Sequence, residues 1–66
     1  MVGKQGRVTG AIGPGLVGEV VLAVRGGSEA FYAYAANPGE VIAVGEPVLV
    51  VEYQPPRTVV VAGWNR

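Results

Sequence analysis

The chain has 66 residues, no cysteine and no histidine, and its five basic residues balance five acidic ones. That length holds one domain, and the missing cysteine excludes a disulfide framework and any thiolate metal site. Zero net charge excludes a broad field that would gather nucleic acid or an anionic membrane.

In chain order the sequence predicts five short strands, over residues 3–9, 17–24, 29–35, 47–53 and 57–62. The second reads VGEVVLAV, the third EAFYAYA, the fourth PVLVVEY and the fifth begins RTVVVA. Valine and isoleucine favour such segments because a branched Cβ fits the pleated surface and restricts helical rotamers. Between the strands stand Gly13-Pro14-Gly15, Gly26-Gly27-Ser28, Asn37-Pro38-Gly39 and Pro55-Pro56, which are turn residues. No window carries a helical stripe of more than two turns. Residues 37–41 are the one place for a helical turn, and Pro38-Gly39 keeps it short. No apolar run approaches the roughly 18–20 residues of a membrane helix, and no signal peptide is visible.

Residues 13–18, Gly-Pro-Gly-Leu-Val-Gly, match the dinucleotide fingerprint G-x-G-x-x-G. That fingerprint needs a helix whose N-terminus receives the pyrophosphate. Here a strand follows Gly18, so the expected role of residues 13–18 is a loop between the first two strands. Catalysis finds equally little support. Acid–base work needs a group tunable towards neutrality, and the candidates are five scattered glutamates, one lysine and three tyrosines. Ser28, the only serine, has no base to activate it, and no carboxylates cluster for a hard cation. The chain reads as non-catalytic, with no cofactor and no metal.

Five short strands in one small domain predict an all-β, antiparallel, five-stranded OB-like barrel with little or no helix, spanning residues 1–66 with its core in about 3–62. Alternation places Val8, Val20, Leu22, Val24, Phe31, Ala33, Val48, Val50, Val59 and Val61 inside. It leaves a second apolar set: Val21, Ala23, Tyr32, Tyr34, Leu49, Val51 and Val60. A monomer exposing all of these is unusually apolar, so part of the set is expected to form a contact surface. The candidate contact residues are Tyr32, Tyr34, Leu49 and Val51, with Trp64 near the tail. Trp64 also reads as an aromatic packed across a barrel end.

The order of elements resembles the C-terminal soluble domain of the NfeD-like family. The resemblance rests on the glycine-flanked opening Gly3-Lys4-Gln5-Gly6-Arg7-Val8-Thr9 and the loop Gly13-Pro14-Gly15-Leu16-Val17-Gly18. It continues through Ile42-Ala43-Val44-Gly45-Glu46-Pro47-Val48-Leu49-Val50 and Arg57-Thr58-Val59-Val60-Val61. It implies an OB-like barrel that usually follows transmembrane helices and partners stomatin- or flotillin-type membrane scaffold proteins. No catalytic residue carries over. As written the chain reads as soluble, reaching a membrane only through the helices of a parent chain. Self-association is a second expectation for its apolar face.

Two other readings stand beside this one. An OB module for single-stranded nucleic acid sets aromatics in a basic groove; Tyr32, Tyr34 and Arg25 echo this, but the basic charge is missing, so no nucleic acid is expected. A biotinyl- or lipoyl-like carrier shares the glycine rhythm of residues 39–52. It needs an exposed lysine after that segment, where Tyr53-Gln54-Pro55-Pro56-Arg57 stands, and the only lysine is Lys4.

Overall fold

The structure, a computed structural model, describes residues 2–64; Met1, Asn65 and Arg66, the ends of the expected domain, lie outside them. Five strands form: β1 (Gln5–Gly10), β2 (Gly18–Val24), β3 (Gly27–Ala35), β4 (Pro47–Gln54) and β5 (Thr58–Gly63). They close into a barrel in the order β1-β2-β3-β5-β4. Closure pairs strands all round and leaves little free edge to aggregate.

The wholly antiparallel expectation needs one correction. Four pairs are antiparallel, but β3 and β5 run parallel, with Tyr34 opposite Val60. Two parallel strands cannot be joined by a tight turn. Here β4 provides the return path, and β5 then inserts between β3 and β4.

Inside, alternation gives the expected filling. Val8, Val20, Leu22, Phe31, Ala33, Val48, Val50, Val59 and Val61 are buried. Val24, expected inside, is only half-buried, because it ends β2 beside the turn to β3. Ile12 and Ile42 join the core from outside the strands. Each backbone amide of this pair donates to the other's carbonyl, at 3.0 and 2.9 Å, in an isolated bridge between two loops. Among the described residues no polar or charged side chain is buried, so the core carries no polar desolvation cost.

Turn chemistry differs from expectation in detail. The β2–β3 connection is only Arg25-Gly26, with Val24 opposite Gly27, so Ser28 belongs to the strand. Gly26 takes φ +80° there, a backbone region that a Cβ penalises. Residues 37–41 hold no helical turn: Glu40 N–H bonds to the Asn37 carbonyl at 3.1 Å in a single turn. Residues 13–18 are the expected loop, tightened by a Leu16 N–H to Gly13 carbonyl bond of 3.0 Å. Gly18 is required by packing, since a Cβ there would meet the Ile12 side chain and lie 2.8 Å from the Gly10 carbonyl oxygen. A bulge in β4 leaves Val51 as an extra residue: Val50 pairs with Val61, and Glu52 with Val60.

Candidate interaction surface

The outer side of β3, β5 and β4 carries the residues singled out from the sequence. On β3 the inward Phe31 and Ala33 force Tyr32 and Tyr34 outward, where they are 58% and 46% exposed. Their neighbours across the parallel seam are Thr58 and Val60. On β4, Leu49 faces outward and is half-buried opposite Ala62. Trp64 follows β5, and its backbone N–H donates to the Pro47 carbonyl at 3.1 Å. Together Leu49, Ala62, Gly63 and Trp64 line a shallow groove. Trp64 keeps 38% of its surface exposed, so it flanks this groove instead of sealing the barrel end. Val51 is the bulged residue and is exposed.

The five candidates therefore fall into two groups, the tyrosines on β3 and the Leu49–Trp64 groove on β4 and β5. The outward side chains of β5, Val60 and Ala62, lie between the two groups and make one apolar stripe. These two were missing from the candidate set because only the barrel order puts β5 between β3 and β4. Polar groups edge the stripe: Glu52 opposite Val60 accepts from Gln54 Nε2 at 3.3 Å, and Glu19 stands opposite Tyr32. Such a layout, an aromatic and aliphatic centre with a polar rim, is the anatomy of a protein contact surface.

Other groups are spread out. Glu29 and Arg57 approach to 3.9 Å at the surface. Among the described residues no group of three or more His, Cys, Asp or Glu could hold a metal ion. No helix is long and apolar enough to cross a membrane.

A second apolar set was not legible as such. Leu16, Val17, Val41 and Val44 are exposed on two loops at one barrel end. The available signal was the stretch of residues 10–18, which contains no charged or hydrogen-bonding side chain.

With this geometry established, three comparisons bear on the chain. The family model described as the NfeD C-terminal domain matches residues 5–62. The chain is also similar to a crystal structure of the soluble domain of a membrane protein from Corynebacterium glutamicum, implicated in regulation of membrane protease activity. That likeness has 30% identity and a TM-score of 0.76, over 97% of this chain and 89% of the other. No curated protein matches.

Proposed function

The chain belongs to the NfeD C-terminal domain family, and on that premise we propose that it is a non-catalytic contact module. In this reading the barrel is a rigid OB-like platform that holds Tyr32, Tyr34, Leu49, Val51 and Trp64 towards a partner. The partner is a stomatin- or flotillin-type membrane scaffold protein, or a second copy of the chain. A parent chain's helices keep the module beside the membrane. The observation that carries this is the exposed tyrosine-bearing stripe across β3, β5 and β4. Tyrosine supplies large contact area with a polar tip, and its burial drives association at low entropic cost. The similar soluble domain from a membrane protein implicated in regulating membrane protease activity supports action by contact.

The test is an amide NMR titration with the soluble part of a stomatin- or flotillin-type protein from the same source. Shifts are expected on Tyr32, Tyr34, Val60 and Ala62. Replacing both tyrosines, Tyr32→Ser with Tyr34→Ser, should weaken binding at least about tenfold while leaving the thermal midpoint nearly unchanged. Shifts confined to other surfaces, or an unaltered affinity in the double variant, would sink the reading.

A further inference from the structure

The net charge of zero hides an uneven axial distribution. β1 and β3 are each antiparallel to β2, and β5 is parallel to β3, so β1, β3 and β5 all run towards the same end. That loop end carries the β1–β2 and β3–β4 connections; the opposite, hairpin end carries the two tight turns and the start of β1. Lys4, Arg25 and Arg57 stand at the hairpin end, where Glu29 and Glu52 offset two of the three charges. Glu19, the second residue of β2, and Glu40 and Glu46, in the β3–β4 connection, stand at the loop end.

The loop end is also the most aliphatic exposed part of the chain. Val41 is 71% exposed and Leu16 53%, with Val17 and Val44 similarly open. The Ile12–Ile42 bridge ties the two loops together, and a Cβ on Gly13 would lie 3.7 Å from Val41 Cγ2. Leu16 folds back on Gly13 through its backbone bond, so Leu16 and Val41 border one cap. None of the three carboxylates has an ion-pair partner among the described residues, where the ion pair is Glu29 with Arg57 at the far end. Arg7, on the loop side, donates from Nη1 to the Gly45 carbonyl at 2.7 Å. The Glu19 carboxylate is held by the Thr9 hydroxyl, Oγ1 to Oε1 2.8 Å.

We propose that this aliphatic cap seats a basic amphipathic segment of a partner protein. Its apolar side chains would lie on Leu16, Val17 and Val41, and its lysines or arginines against Glu19, Glu40 and Glu46. Charge selects this occupant. An anionic lipid surface would meet three carboxylates of its own sign. Two copies packed cap to cap would set the same carboxylates against each other, and like charges across an interface suppress pairing. The aliphatic residues of the cap lie off the tyrosine stripe. The two surfaces meet at Glu19, opposite Tyr32, and at Glu40, whose Oε2 lies beside Gly63, but the proposal does not depend on the tyrosines.

The experiment is an amide NMR titration of the 66-residue chain with two short helical peptides of matched leucine content. One has a lysine polar face and the other a glutamate polar face. The leucine–lysine peptide should shift Leu16, Val17 and Val41, and the leucine–glutamate peptide should not. Glu40→Gln with Glu46→Gln should raise Kd about tenfold and flatten its salt dependence. Leu16→Ser with Val41→Ser should abolish the shifts, and Tyr32→Ser with Tyr34→Ser should leave them intact. Equal responses to both peptides, shifts confined to other surfaces, or no response to either would overturn the proposal. So would flotation with phosphatidylcholine–phosphatidylserine vesicles, or a concentration-dependent dimer that Leu16→Ser with Val41→Ser dissolves.

Discussion

The two ends of the barrel are finished by different means. At the hairpin end, side chains close the barrel. The buried Phe31 ring meets Tyr53 edge to face, with centroids 6.5 Å apart and planes at 79°. The Arg57 guanidinium covers the same ring at 5.9 Å, and its Nη1 donates to the Ala30 carbonyl at 2.9 Å. Tyr53 Oη donates to the Pro56 carbonyl at 3.1 Å. At the loop end, backbone bonds do much of this work. Ile12 and Ile42 pair through their amides, and Gly45 N–H reaches the Val8 carbonyl at 2.8 Å. Side chains thus cover the hairpin end from its surface, with Tyr53 and Arg57 still partly open to solvent. At the loop end the buried Ile12 and Ile42 and the backbone bonds between their loops close the structure, and Leu16, Val17 and Val41 are left for the outside.

Substitutions can break this contrast. Phe31→Ala removes the ring on which both Tyr53 and Arg57 rest, and should cost about 3–5 kcal/mol. In a domain this small that is a large part of the total stability, and urea unfolding would read it directly. Gly18→Ala attacks the loop end through the backbone, since its new methyl group meets Ile12 and two carbonyl oxygens. It should cost about 1–3 kcal/mol, measured the same way; a neutral result would mean that the loops give way easily. Arg57→Ala should cost about 1 kcal/mol, from the lost cation–π contact and hydrogen bond. The Glu29 pairing is solvent-exposed and contributes little, so Glu29→Gln should leave the thermal midpoint almost unmoved. If the two variants are equally destabilised, the ion pair, and not the ring, is what holds Arg57.

Much of the barrel is legible in the sequence, and the reason is alternation. Phe31 and Ala33 in, Tyr32 and Tyr34 out, follows from a period of two, and so does the valine set of β4 and β5. The parallel β3–β5 seam is not legible, because pairing between distant segments leaves no local pattern. Ile12 and Ile42 escape for a related reason: each lies in a loop where neither period applies. The strand ends shift by at most two residues, as with β1 beginning at Gln5 and not at residue 3. For the contact surface, exposure of the tyrosines was readable, whereas the unbroken stripe required knowing that β5 inserts beside β3. The loop-end aliphatics were unreadable as exposed residues, because an uncharged run has the same composition whether it is core or surface.

The bulge at Val51 has an effect on everything downstream of it in β4. Alternation from Val48 and Val50 alone would turn Glu52 into the barrel and Tyr53 out to solvent. One supernumerary residue resets the phase: Tyr53 comes round to Phe31, while Glu52 and Gln54 go outside, opposite Val60 and Thr58. The bulge therefore matters more than the side chain at position 51. Many residues could stand there, but a regular strand of the same length would turn a carboxylate inward and strip the hairpin end of its aromatic pair. Deleting the extra residue, by contrast, would iron out the bulge and keep Glu52 outside and Tyr53 inside.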